Sequence, residues 1–300
     1  MSNHHSSPPP FSSLTKQLLM DTGRCLGVPS KECGAFSRTG QLQLGSLIFS
    51  IYCQKTKQRE PAWLIALQPR PDSLGELRWC QALLRANWAA QFCGQWGFAS
   101  AENDLGALYI ALGPDQQHPQ LLSASFRGAL QFWSDLLHGA HARQDESAIA
   151  YSPAHDDYTD PGAELEAPRA VRVLIAAALL ELGFAPSDAQ SAAQRGVFFL
   201  EQHPVSLTMA VDSQTLILVT PLQVSQIEQG VLQGLLRLNS VIIPAMGIVT
   251  AATATGLQLV SRWPLEPRQP TALARWLRLF ANFAGEICVQ NAHTAQSLKT

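Results

Sequence analysis

The stretch LLRANWAAQFCGQWGFASAENDLGALYIALGP, Leu83 to Pro114, decides how this chain is read. Its opening residues belong to a long helix expected from Leu74 to about Phe92. Two short alternating runs follow, about 96–101 and 107–112, joined through Asn103-Asp104-Leu105-Gly106. Glycine at such a turn supplies the positive φ that a tight reversal needs. The same order of features returns later. Leu235-Leu236-Arg237-Leu238-Asn239 repeats Leu83-Leu84-Arg85-Ala86-Asn87 at a separation of 152 residues. Met246-Gly247 echoes Trp96-Gly97, Gly256 echoes Gly106 and Pro264 echoes Pro114, each 150 residues on. Upstream, Leu26-Gly27-Val28-Pro29 matches Leu182-Gly183-Phe184-Ala185-Pro186 with one insertion. Ordered matches at near-constant separation mark an internal repeat.

Outward from this stretch, each copy opens with a helix. In the first, Leu14, Leu18, Leu19 and Leu26 fall at helical spacing behind Ser12-Ser13, and Gly27 and Pro29 stop it. Its counterpart, about Ala170 to Leu182, is apolar nearly all round and is therefore expected to be buried on every side. Alternation then predicts strands. Leu47, Phe49 and Ile51 alternate with Ile48, Ser50 and Tyr52, and Trp63, Ile65 and Leu67 lie beyond a connecting loop. In the second copy Val205, Leu207, Met209 and Val211 alternate with smaller residues, and Asp212-Ser213-Gln214 turns the chain into Leu216–Val219. Short strands near Leu42–Leu44 and Val197–Leu200 complete three antiparallel strands per copy. The second long helix runs from about Val224 to Ile243, where Pro244 is expected to end it. Final helices lie near 119–138 and 270–290. The last strand of the first copy points Leu108, Ile110 and Leu112 inward, and a strict 150-residue shift breaks that register, so a one-residue slip is required.

The expected fold class is α+β: two tandem copies of an α-β-β-β-α-β-β-α domain with an antiparallel sheet, arranged as an intramolecular pseudo-dimer. The expected divisions are a disordered tail at 1–11, a first domain at 12–143, an acidic linker at 144–167, a second domain at 168–292 and a tail at 293–300. The linker reading rests on Asp145, Glu146, Asp156, Asp157, Asp160, Glu164 and Glu166 with no Lys or Arg among them, a composition unable to bury enough apolar area to order itself.

Composition narrows function. The net charge of −2 offers no basic excess for a phosphate backbone. Charged residues make up 15% of the 300, against roughly 25% in a typical soluble protein, so the surface is unusually uncharged and suited to a protein partner. No run is apolar and long enough to span a membrane, and the N-terminal MSNHHSSPPPF is not a secretory signal. The six cysteines include no C-x-x-C pair and read as free thiols. His4-His5 and His155-Asp156-Asp157 read as tail and loop rather than metal ligands. There is no G-x-S-x-G elbow, H-E-x-x-H, P-loop or G-x-G-x-x-G. No enzyme activity, cofactor or metal is therefore expected.

Residues 83–114 resemble the helix-then-hairpin signature of bacterial type III secretion chaperones of the Tir-chaperone (CesT-like) family. Leu83, Leu84, Asn87, Gly97, Asn103, Gly106 and Pro114 carry the match, echoed by Leu235, Leu236, Asn239, Gly247, Gly256 and Pro264. The resemblance implies a cytoplasmic bacterial protein that binds the N-terminal segment of a secreted effector by strand addition and apolar pockets. It also implies a dimer made covalent, a monomer with two pseudo-symmetric halves. The alternative is a non-catalytic structural or regulatory component of a secretion system that keeps the fold. Candidate client-binding residues are Leu47, Phe49, Ile51 and Trp63 in one half and Leu207, Met209 and Val211 in the other. Candidate inter-domain residues are Leu84, Trp88, Leu236 and Ile243. Asn87 and Asn239, near helix ends, are expected to cap backbone groups there.

Overall fold

In the computed structural model, residues 11–53, 61–94, 96–101, 105–142, 165–224, 227–266 and 268–297 are described. Residues 1–10, most of the acidic stretch, Asn103-Asp104 and the last three residues lie outside them, and with them most of the readings of N-terminal tail, linker and acidic turn; of the expected C-terminal tail, residues 293–297 are described and end a helix that runs to Ser297. The class is α+β, with eight helices and two five-stranded antiparallel sheets among the described residues. Packing divides the chain into two compact units, Met1–Leu74 with Phe98–Arg143, and Gly75–Gly97 with Gln144–Thr300.

The first unit begins with α1 (Ser13–Cys25), whose Ser12 hydroxyl accepts the Thr15 N–H at 3.0 Å as an N-cap. A second helix, α2 (Ser30–Thr39), follows at once. The sequence shows no helical period over this span, because its buried apolar positions, Cys33 and Phe36, are too few. Its Gly40 terminus adopts φ 69°, the left-handed closure that glycine permits. β1 (Gln41–Leu44), β2 (Leu47–Cys53) and β3 (Pro61–Gln68) form a meander, and β4 (Trp96–Ser100) and β5 (Gly106–Ala111) complete the order β1-β2-β3-β5-β4. A 3-10 turn at Pro114–Gln117 leads into α4 (Pro119–Ala142). The core lies between the helices and one face of this sheet. Phe126 of α4 stands 5.8 Å from Phe36 and 4.8 Å from Phe49, ring to ring, and Trp133 meets Phe98 at 5.0 Å.

A glycine is required at Gly40 by space as well as by φ. A β-carbon there would stand 2.5 Å from Phe11 Cζ and 3.3 Å from the Ile51 carbonyl oxygen. Gly40→Ala is expected to cost about 1–3 kcal/mol, read as a lowered urea midpoint. Gly45, at φ 60° with open space around it, accepts asparagine with little change.

In the second unit α5 (Arg169–Glu181) and α6 (Pro186–Arg195) precede β6 (Val197–Leu200), β7 (His203–Met209) and β8 (Thr215–Pro221). After α7 (Gln229–Met246) come β9 (Ile248–Thr253), β10 (Gly256–Pro264) and α8 (Pro270–Ser297), giving the order β6-β7-β8-β10-β9. This is the strand order of the first sheet. Helix α6 is again additional to the expected pattern. Helix α5 is not buried all round: Val171, Leu174, Ile175, Ala178 and Leu179 are buried, while Val173 and Leu180 are exposed. Only one of its faces finds a partner. Helix α7 continues past Pro244 to Met246. A proline so near a C-terminus removes one backbone bond, and the Gly247 N–H closes the end onto the Ile243 carbonyl at 2.9 Å. On β10, Leu257, Leu259 and Ser261 pair with Ala252, Thr250 and Ile248 of β9, and the alternate residues Gln258 and Val260 are as fully buried as they are, so burial does not single out one register of the expected repeat.

Helix α3 (Glu76–Cys93) belongs to the second unit although it precedes β4 in the chain. Gln229 and Gln233 at the start of α7 both donate to the Glu76 carboxylate at the start of α3. Trp276 of α8 donates to Ser261 Oγ at 3.1 Å on one face of the sheet, and the next residue, Arg262, on the other face, donates to the Gln91 carbonyl of α3. The sheet is thus covered from both sides. This accounts for β8, TLILVTP, whose first six residues are all buried: a strand with two covered faces reads as a continuous apolar run.

Candidate binding face

Pleating assigns each strand residue of the first unit to a face. Leu47, Phe49 and Ile51 of β2, and Ala62, Leu64 and Ala66 of β3, point into the core and are buried. The other face carries three cross-strand rows. Tyr52 pairs with Trp63 and Trp63 with Ala111; Ser50 pairs with Ile65 and Ile65 with Tyr109; Ile48 pairs with Leu67 and Leu67 with Ala107. Gln41 and Gln43 of β1 extend the last two rows through Ser50 and Ile48. Tyr52 is 53% exposed and Ile48 39%, and Trp63, Ile65, Leu67 and Tyr109 are half-buried. Trp63 and Tyr109 meet edge to face, ring centroids 6.4 Å apart at 75°. Burial pushes the Tyr109 phenol above its ordinary range. No position in these rows carries a formal charge.

The β1 edge borders this face. Leu44 and Leu47 flank a two-residue hairpin turn, and alternation from there turns the backbone groups of Gln41 and Gln43 away from β2. Thr39 occupies part of that edge: its hydroxyl accepts the Gln41 N–H at 3.1 Å and donates to the Ala35 carbonyl at 3.0 Å. A groove lined by Glu32, Ala35, Gln41, Leu42, Gln43 and Gly45 runs between α2 and the edge.

The candidate residues therefore separate. Leu47, Phe49 and Ile51 sit in the core of the first unit, and only Trp63 of that set lies on the uncharged outer face. In the second unit Leu207 is buried, Met209 is half-buried and Val211, beyond the end of β7, is 83% exposed. Leu84, Trp88, Leu236 and Ile243 all fall within the second unit, Leu84 and Leu236 fully buried and Ile243 nearly so. Sequence reading missed Tyr52, Ile48, Ile65 and Tyr109 as surface. Alternation alone does not say which of two apolar faces is covered, and β3, with tryptophan, isoleucine and leucine on one face and alanine, leucine and alanine on the other, points the wrong way for a size rule.

Asn87 and Asn239 do not cap helix ends. Both are fully buried and converge on Thr250 of edge strand β9. Asn239 Oδ1 accepts the Thr250 N–H at 2.8 Å and its hydroxyl at 2.9 Å, while Asn239 Nδ2 donates to the Thr250 carbonyl at 3.1 Å. Asn87 Nδ2 donates to the same carbonyl at 3.0 Å. One amide side chain thus substitutes for a missing neighbouring strand, and the Leu-Leu-x-x-Asn spacing keeps its leucines in the core.

Two titratable groups bear on chemistry. Burial pushes the Cys53 thiol up to about 11, so it is not a ready thiolate. For Asp212, partial desolvation acts upward, yet the Gln214 N–H, the Thr215 hydroxyl and the Arg262 guanidinium outweigh it and hold the carboxyl below its ordinary value. These partners lie at 2.9, 2.9 and 3.0 Å. A depressed folded-state pKa adds stability above the unfolded value, which is lost as pH falls through the folded one. Asp212→Asn is expected to lower the melting temperature slightly at pH 7, with the difference from the unsubstituted protein shrinking as pH falls below the ordinary carboxylate range, checked by thermal melts across pH. The effect is small because the carboxylate is partly solvated.

Among the described residues no group of three or more His, Cys, Asp or Glu is placed to hold a metal ion, and no helix is long and apolar enough to cross a membrane. No model of a known protein family matches the chain, and no curated protein matches it.

Proposed function

We propose that this chain is a type III secretion chaperone-like protein, which holds the N-terminal segment of a secreted effector and performs no catalysis. The observation that carries the reading is the uncharged outer face of the first sheet, where β3 turns Trp63, Ile65 and Leu67 outward and Ala62, Leu64 and Ala66 inward. A strand with its bulk on the outer side is suited to a second packing partner. A guest's own large apolar side chains, covered on this face, yield roughly 1.5–3 kcal/mol each, enough over several contacts to exceed an ordering cost of about 2–5 kcal/mol for an unfolded guest. The adjacent β1 edge and its groove offer main-chain pairing to the same guest.

The shared strand order of the two sheets supports the reading of an internal duplication, and the packing of α3 with α7 at Glu76 supports a pseudo-dimer whose middle helices associate. The second sheet, with β8 buried on both faces, offers less open apolar surface, so this reading places the guest chiefly on the first.

The test is photo-crosslinking. With Tyr52 replaced by benzoylphenylalanine in the full chain, co-produced with secreted proteins encoded beside it, the expected adduct maps to a secreted protein's N-terminal segment. The same replacement at Leu279 serves as the control. An adduct with a non-secreted partner would favour the regulatory alternative, and no adduct at Tyr52 would remove the face from consideration.

A further inference from the structure

We infer that the β1 edge of the first unit selects an extended segment with a lysine or arginine on the side turned to α2 and uncharged side chains on the other; this deepens the binding role proposed above and rests on it. The argument begins with the main chain. Alternation turns the backbone groups of Gln41 and Gln43 away from β2, and the Thr39 hydroxyl already holds the Gln41 N–H at 3.1 Å. Pairing with an added strand therefore centres on Gln43. The guest residue opposite Gln43 points its side chain to the uncharged outer face, where it extends the row through Ile48 and Leu67. Its neighbours in the guest lie opposite Leu42 and Leu44, on the side of the sheet where α2 packs.

The groove between α2 and the edge decides which residue fits there. Leu42 and Ala35 give it apolar surface, Gln41, Gln43 and Gly45 are uncharged, and Glu32 is, among the described residues, the one lining residue with a formal charge. Glu32 and Ala35 stand three residues apart in α2, and so share the face of that helix turned to the edge. Lys31 and Arg38 of the same helix do not line the groove. An apolar guest side chain laid here would strip water from the Glu32 carboxylate without supplying a counter-charge, and an acidic one would meet like charge. Lysine or arginine matches both surfaces: the methylene stem covers Leu42 and Ala35 while the charged end reaches the carboxylate.

Isothermal titration of the full chain tests the inference with two end-capped peptides, Val-Thr-Val-Arg-Val-Thr-Val and the same peptide with glutamate in place of arginine. Both put valine on one side of the strand and the central residue on the other. The arginine peptide is expected to bind about fivefold more tightly, the scale of one partly solvated ion pair. Glu32→Gln is expected to lose most of that difference and Glu32→Lys to reverse it, with the melting temperature nearly unchanged, since Glu32 is exposed. Gln43→Pro removes the outward N–H and leaves the ladder to β2 intact, and is expected to abolish binding of both peptides. Absence of binding, equal binding of the two peptides, a preference for arginine that survives in Glu32→Lys, or undiminished binding to Gln43→Pro overturns the inference. Crosslinking of an effector at Tyr52 while the peptides fail would sink this selectivity alone; failure of both would remove the binding reading too.

Discussion

Phe49→Ala is expected to lower the unfolding free energy by about 3–5 kcal/mol, whereas Trp63→Ala, across the same sheet, costs about 1 kcal/mol or less. Phe49 is fully buried and its ring packs on Phe126, 4.8 Å away. Truncation leaves a cavity that close-packed neighbours fill only in part. Trp63 keeps one side toward solvent, so water replaces what is removed. Urea unfolding of both variants checks the contrast. If Trp63→Ala proves as damaging as Phe49→Ala, the outer face is core and not a binding surface. Replacing Phe49 by aspartate is expected to abolish folding of the first unit, because a lone carboxylate in that environment has no partner.

The second large effect belongs to Asn239. Asn239→Ala removes three hydrogen bonds at Thr250 and leaves its N–H without the amide oxygen that accepts it. At about 1–3 kcal/mol for an unsatisfied buried group, a loss of about 3 kcal/mol is expected, seen as a lowered urea midpoint of the second unit. Asn87→Ala removes one donor from a carbonyl that Asn239 still serves, so its effect at this strand is expected to be about 1 kcal/mol. Equal losses from the two variants would show that the amides do not divide the strand edge this way. Asn239→Asp is informative as well: it keeps the acceptor for the Thr250 N–H but turns a carboxylate toward the carbonyl, and is expected to be worse than alanine.

Residues near these sites show how far reading the chain could go. The periodicity of Leu83-Leu84 and Leu235-Leu236, the alternation through Phe49 and Leu207, and the turn at Asp212-Ser213-Gln214 are local signals that correspond to elements of the structure. Helices α2 and α6 were illegible because SKECGAFSRT and PSDAQSAAQR carry few large apolar residues; alanine, glycine and cysteine faces pack well but leave little period. Helix α5 was misjudged for the opposite reason. Its composition is apolar on every side, and only packing reveals that Val173 and Leu180 stay exposed. Asn87 and Asn239 were misassigned because their partner, Thr250, is remote in sequence from the first of them.

From the chain alone came the class of fold, the order of the strands and of the helices other than α2 and α6, the near-zero net charge and the short-range turns, because helix and strand periods and glycine conformations are written within a few residues of one another. The tertiary structure alone decided which face of β3 is core, where α3 packs, and what the paired asparagines serve. Those outcomes depend on contacts between residues as far apart as Asn87 and Thr250, where a covered face and an open one have the same local pattern.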